Sequence, residues 1–118
     1  MLLFLLIQIS LSIALTRWEK RTLSCDVDEC LLSVRGGDFE PASCTLNHDG
    51  VHECEIRCLG ADKDSVISKS PPSNRQCIRF HTYNTRRISD GDWTMWRNQN
   101  CTKQNIILEV HCGFPVDS

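Results

Sequence analysis

Hydrophobic and polar positions along the chain change regime several times. Residues 1–16, MLLFLLIQISLSIALT, carry no charge, and only Gln8, Ser10 and Ser12 break the apolar run. The run is short and polar at its end for a bilayer span, and Ala14 and Thr16 stand where a signal peptidase expects small residues. It therefore reads as a signal peptide cleaved after Thr16. From Thr22 to Leu59 no helical period appears: Leu31, Leu32 and Val34, then Val51 and Ile56, come as short pieces. Gly36-Gly37, Pro41 and the stretch from Asn47 to Gly50 separate them, which predicts short strands and turns. Asn47-His48-Asp49-Gly50 is hairpin chemistry, because Asn, Asp and Gly tolerate the left-handed backbone region of a tight turn.

Residues 60–76 are polar around Pro71-Pro72, which predicts an exposed loop and the most mobile segment. After Cys77, CIRFHTY alternates Ile78, Phe80 and Tyr83 with polar residues as a half-buried strand does. NIILEVHC sets Ile106, Leu108 and Val110 on one strand face, with Ile107 and Glu109 on the other. Between them a turn is predicted at residues 90–92, and no internal repeat or low-complexity tract is present.

Composition sharpens this picture. About a hundred residues follow the signal segment, enough for one domain or two very small ones. The eight cysteines, Cys25, Cys30, Cys44, Cys54, Cys58, Cys77, Cys101 and Cys112, replace part of the core that so short a chain cannot build. An even count in a secreted chain implies four bridges, whose pairing the sequence leaves open. The fold class expected is a small, disulfide-rich, mostly β protein of short strands and hairpins. Residues 17–21, RWEKR, form a short basic start, in which Lys20-Arg21 is either a prohormone-type cleavage site or a solvated charged stretch.

The net charge of −2 conceals an asymmetry. Thr22 to Asp64 holds ten acidic and three basic residues, and Ser65 to Ser118 holds four acidic and seven basic ones. The first half suits a cation and the second an anionic surface. Asp26, Asp28 and Glu29 are hard oxygen donors of the kind calcium prefers. His48, His52, Cys54 and Cys58 have zinc-like spacing, but secretory thiols oxidise and no helix aims the two rings at one ion. Asn100-Cys101-Thr102 is an N-glycosylation sequon. No phosphate loop, GxSxG or HExxH motif is present, so a non-enzymatic protein is expected.

DVDEC followed by CTLNHDGVHEC and EIRCLG resembles a calcium-binding EGF-like domain over Asp26 to Cys77, which divides the chain into residues 22–77 and a β-rich segment, 78–118. The resemblance implies calcium held by Asp26, the Val27 carbonyl, Glu29 and Asn47. With Cys25 in the place of the family's second cysteine, it also implies the pairs Cys30 with Cys44, Cys25 with Cys54, Cys58 with Cys77, and Cys101 with Cys112. Trp93-Thr94-Met95-Trp96 resembles the tryptophan motif of thrombospondin type 1 repeats. DGDW through VHCGFP is similar to a junction of sushi modules, and ILEVHC to the last strand of a rhamnose-binding lectin domain.

The function expected is a secreted, monomeric binding or adhesion module stiffened by calcium, meeting an extracellular protein or glycan and neither nucleic acid nor membrane core. Arg79, Arg86, Arg87, Arg97, Trp93 and Trp96 are its candidate contact residues, because arginine and aromatic side chains concentrate at interfaces. The alternative is a disulfide-stapled effector such as a toxin, a salivary protein or a processed hormone.

Overall fold

Alternating apolar positions at the two ends of the chain find each other. The computed structural model describes residues 15–27, 29–70, 76–88, 91–102 and 105–116, with residues 66–70 described by backbone alone. Strand β1 (Leu15–Cys25) runs antiparallel to β9 (Ile106–Val116) over eleven paired positions, from Leu15 opposite Val116 to Cys25 opposite Ile106. Leu23 and Cys25 face inward beside Ile106, Leu108, Val110 and Cys112, while Ile107 is 45% exposed. Period-two patterning thus reads correctly from Ile106 to Cys112 of β9.

Around this pair a five-stranded antiparallel sheet assembles in the order β3-β2-β1-β9-β6, with β2 Cys30–Val34, β3 Glu40–Pro41 and β6 Lys63–Ser70. A second, four-stranded antiparallel sheet has the order β4-β5-β8-β7, with β4 Cys44–Leu46, β5 His52–Glu55, β7 Tyr83–Arg87 and β8 Trp93–Arg97. A short helix, α1 (Gln99–Thr102), follows β8. The inner faces share one core: Leu23, Leu32, Leu108 and Val110 come from the first sheet, and Cys54, Met95 and Tyr83 from the second. The chain is therefore a small mostly-β protein, and the hydrophobic faces of its sheets cover each other.

All eight cysteines are bridged, in pairs other than those the EGF-like resemblance implies: Cys25–Cys30, Cys44–Cys54, Cys58–Cys112 and Cys77–Cys101. Strand register explains the first two, since Cys25 lies directly opposite Cys30 across the β1–β2 hairpin and Cys44 opposite Cys54 across β4–β5. Cys58–Cys112 ties the segment after β5 to β9, and Cys77–Cys101 ties the turn before β7 to α1. No division falls at residue 77, because both sheets draw strands from either side of it.

Two further expectations change. The polar stretch expected as a loop contains edge strand β6, paired to β9 with a register shift between Val66 and Ser68; residues 71–75 lie outside the described ones. An edge strand has only one neighbour to satisfy, so polar residues suffice. CIRFHTY is a turn until Tyr83. There Thr82 N donates to Ile78 O at 2.8 Å, the Thr82 hydroxyl accepts from Ile78 N at 2.7 Å and donates to Gln76 O at 2.8 Å, and Phe80 takes a φ of 72°. The threonine hydroxyl offers the backbone closer partners than a neighbouring strand would. Among the turns expected, Asn47 to Gly50 closes the β4–β5 hairpin, with Asn47 N donating to Val51 O at 3.0 Å and Gly50 at a φ of 81°.

Residues 1–14 of the signal segment lie outside the described residues, and Leu15 and Thr16 open β1. The Lys20-Arg21 site lies in the middle of that strand. Arg21 is only 4% exposed: its Nε donates to Ile56 O at 3.1 Å, and its Nη2 donates to Arg57 O at 2.9 Å and to Glu19 Oε1 at 3.0 Å. Trp18 lies across Gly113, where a Cβ would stand 3.1 Å from the indole, and Lys63 Nζ sits 5.6 Å from that ring. In the folded chain residues 17–21 are part of β1, with Arg17, Trp18 and Lys20 exposed, Glu19 half-buried and Arg21 buried. Truncation to a Thr22 start leaves only the Thr22–Cys25 part of the central ladder and the Ile56 and Arg57 carbonyls without their guanidinium. Thermal denaturation followed by circular dichroism should show a cooperative transition for a chain starting at Arg17 and none for one starting at Thr22. A Thr22 chain that unfolds cooperatively at the same temperature would refute this role.

Candidate functional site

Strand alternation sorts the arginines and tryptophans expected at one surface onto two faces. On β8, Trp93, Met95 and Arg97 point toward the core, and Thr94 and Trp96 point away. On β7, Tyr83, Thr85 and Arg87 lie on the inner side opposite Arg97, Met95 and Trp93, whereas Asn84 and Arg86 lie on the outer side opposite Trp96 and Thr94. Two tryptophans three residues apart cannot share a strand face.

The outer face therefore carries Glu53 and Glu55 on β5, Thr94 and Trp96 on β8, and Asn84 and Arg86 on β7. Arg86 grips Glu53 with two bonds, Nε to Oε2 at 3.0 Å and Nη2 to Oε1 at 2.8 Å, and the Thr94 hydroxyl donates to Glu53 Oε2 at 2.5 Å. These donors hold the Glu53 carboxyl below its usual pKa, the Arg86 bond being the largest cause, and the same bond raises Arg86. Arg79 joins the surface from the adjoining turn: its Nε donates to Asn84 Oδ1 at 3.3 Å, and its guanidinium stacks 4.7 Å from the Phe80 ring centroid. Phe80 is 68% exposed. Arg79, Arg86 and Trp96 thus come together with Glu53, Asn84 and Phe80. The HECE alternation could have placed Glu53 outward, since His52 and Cys54 are the buried members; nothing in the sequence marks Phe80 as exposed.

Trp93, Arg87 and Arg97 belong elsewhere. Trp93 packs against the core, donates its Nε1 proton to Ala61 O at 2.8 Å, and carries Arg87 at 5.9 Å from its ring centroid. Arg97 is fully buried. Its Nη1 donates to Asp26 O at 3.2 Å, its Nη2 to His52 Nδ1 at 3.0 Å, and its Nε has no partner. An acceptor at Nδ1 fixes the neutral imidazole with its proton on Nε2. Burial first, and the Arg97 charge second, push the His52 pKa down; burial also lowers Arg97, against the opposing influence of Asp26.

The residues expected to hold calcium sit in two turns. Asp26, Val27 and Glu29 are exposed in the β1–β2 turn, where Asp26 Oδ1 accepts from Glu29 N at 2.8 Å. Asn47 Oδ1 accepts from Asp49 N at 2.9 Å and Val51 N at 3.0 Å, so an ion there competes with two turn hydrogen bonds. Asp28 lies outside the described residues. Of the zinc-spaced set, His48 is exposed and His52 buried, while Cys54 and Cys58 are in disulfides to Cys44 and Cys112. Ligand atoms of Cys30, His52 and Cys54 lie within 4.8 Å of one another, but both sulfurs are bridged and offer no thiolate. Asn100 is exposed on α1, beside the buried, bridged Cys101.

A histidine whose pKa is lowered by folding contributes fully above the unfolded value of about 6.5. As the pH falls through that value the unfolded chain takes a proton that the folded one resists, and stability is lost. Urea midpoints should drop from pH 7 to pH 5.5, and His52→Gln, which keeps an acceptor for Arg97, should flatten that slope. Glu53 gives way in a lower window, below its ordinary 4.5. An identical slope in wild type and variant would place the titration elsewhere.

No curated protein and no solved structure matches the chain. Residues 37–118, from before β3 through β9 and on both sides of Cys77, match the family described as Domain of unknown function (DUF7808). That match covers well over half of the sequence, and the chain belongs to the DUF7808 family.

Proposed function

We propose that the protein is a secreted, non-enzymatic binding module that contacts an extracellular protein or glycan through the outer face of its four-stranded sheet. The observation that carries this reading is the grouping of Trp96, Arg86, Arg79 and Phe80 on one side of a disulfide-braced sheet. The Arg86–Glu53 fork fixes one guanidinium beside the indole, and Asn84 fixes another. Aromatic and arginine side chains held in place lose little entropy on contact, which is the composition of an interface hot spot. Four disulfides suit an oxidising, extracellular environment, and among the described residues no helix is long and apolar enough to cross a membrane. The processed-hormone alternative loses support, because its dibasic site lies within strand β1 with the Arg21 side chain buried.

The reading is tested by applying the oxidised protein to a glycan array and to a panel of secreted proteins. Trp96→Ala and Arg86→Ala are compared with Ile107→Thr, an exposed position on the other sheet. A specific ligand should lose at least about 30-fold in affinity to each of the first two variants, the ~2 kcal/mol of a hot spot, and bind the third like wild type. A ligand indifferent to Trp96 and Arg86 would move the surface elsewhere, and absence of saturable binding on both panels would favour the diffusible effector.

A further inference from the structure

A disulfide exchanges with a thiol from solution only where that thiol reaches one of its sulfurs, and the four bridges differ in access. Seven of the eight cysteines are 3% exposed or less. Cys44 is half-buried, and it lines a cleft of about 470 Å3 with Leu46 and Gln99. Cys58–Cys112 and Cys77–Cys101 are closed at both ends, since all four residues are fully buried. Cys44–Cys54 has one end at a cleft and the other, Cys54, in the core.

The buried end stands beside a second bridge. Cys54 Sγ, Cys30 Sγ and a His52 ring nitrogen lie within 4.8 Å of one another, and Cys30 is bridged to Cys25. Strand packing brings this about. Cys30 and Cys54 are buried members of β2 and β5, so two bridges that each lie within one sheet meet where the sheets share their core. The imidazole nitrogens are both 3.9 Å from Cys54 Sγ, and with Nδ1 accepting from Arg97 the Nε2 proton has that sulfur as its neighbour. A donor beside a sulfur favours its thiolate, and a better-stabilised thiolate leaves faster. Two sulfurs held this close also react with each other ahead of a thiol in dilute solution.

We propose that these two bridges form a relay that takes two electrons from a dithiol, entering at Cys44 and passing from Cys54 to Cys30. A thiolate of the dithiol attacks Cys44 Sγ; a mixed disulfide forms there, the Cys44–Cys54 bond breaks and Cys54 leaves as a thiolate. Cys54 then attacks Cys30 Sγ, so that Cys30–Cys54 forms, Cys25–Cys30 breaks and Cys25 leaves as a thiolate. The second thiolate of the dithiol attacks its own sulfur in the mixed disulfide, which closes the dithiol into a disulfide and releases Cys44. The two protons of the dithiol end on Cys25 and Cys44, and two protein bridges have become one bridge and two thiols. The new bridge joins β2 to β5, and therefore one sheet to the other, while the β1–β2 turn and the β4–β5 hairpin each lose the bond that closed them. Cys25 is then a free thiol beside a separate cleft of about 300 Å3. The relay does not depend on what the outer face of the four-stranded sheet binds.

The probe is dithiothreitol, one equivalent applied to the oxidised protein at pH 8, followed by alkylation with iodoacetamide, digestion in acid to stop exchange, and mass spectrometry without further reduction. The expected two-electron product carries alkyl groups on Cys25 and Cys44 and a cross-link between the peptides of Cys30 and Cys54, with Cys58–Cys112 and Cys77–Cys101 intact. It should be at least about tenfold more abundant than a product alkylated on Cys44 and Cys54, because the second step is intramolecular. A double variant, Cys25→Ala with Cys30→Ala, has no second bridge to attack and should be alkylated on Cys44 and Cys54 instead. Wild-type protein alkylated mainly on Cys44 and Cys54 with Cys25–Cys30 intact, first reduction at Cys58–Cys112 or Cys77–Cys101, or no reduction at all would each overturn the proposal.

Discussion

The structure depends on one pairing, the antiparallel ladder between the first and last described strands. Pairing residues 15–25 with residues 106–116 closes nearly the whole chain into a loop, an entropic cost that local hairpins do not meet. Leu23, Leu108 and Val110 offset it by burying apolar surface completely, and the Cys58–Cys112 bridge keeps β9 near the second sheet in the unfolded chain too. The other strands of the five-stranded sheet flank this pair on both sides: β2 and β3 beside β1, and β6 beside β9.

Two buried arginines fasten the ends of this arrangement. Arg21, on β1, reaches the carbonyls of Ile56 and Arg57 after β5, and Arg97, on β8, reaches the carbonyl of Asp26 at the end of β1. Each crosses from one sheet to chain leading out of the other. A guanidinium suits this work because its planar fork satisfies several main-chain acceptors at once, which a lysine ammonium does less well. Burial lowers the pKa of both, with Arg35 and Arg17 adding to the effect at Arg21, yet both remain cations. Arg21 has Glu19 beside it as a counter-charge, and Arg97 has the neutral His52 imidazole against it with the Asp26 charge acting in its favour.

Part of the unequal division of charge along the sequence is met within the molecule. Glu53 from the acidic half meets Arg86 from the basic half across the second sheet, and Arg57 bridges Glu40 and Glu55. What this leaves on the outer face is a nearly neutral, ordered surface around Trp96, better suited to shape and stacking than to long-range attraction of an anionic partner.

The sequence by itself determined the class of structure, since alternation, eight cysteines and turn chemistry lead to a small mostly-β protein with four disulfides. It also determined the inward and outward residues of β9 and the Asn47–Gly50 hairpin, because these follow from a period of two and from local backbone preference. Tertiary structure alone decided the disulfide pairing, because Cys25–Cys30 and Cys44–Cys54 follow from strand register and Cys58–Cys112 from the packing of two sheets. It alone turned a polar stretch into edge strand β6, drew Lys20-Arg21 into the central ladder, and separated Trp93 from Trp96. The site divides in the same way: Arg79, Arg86 and Trp96 were legible as residue types suited to contact, but their grouping with Glu53 and Phe80, and the burial of Arg97 behind His52, depend on neighbours far away in sequence. Local periodicity tells which side of a strand a residue faces, and only packing decides what stands opposite.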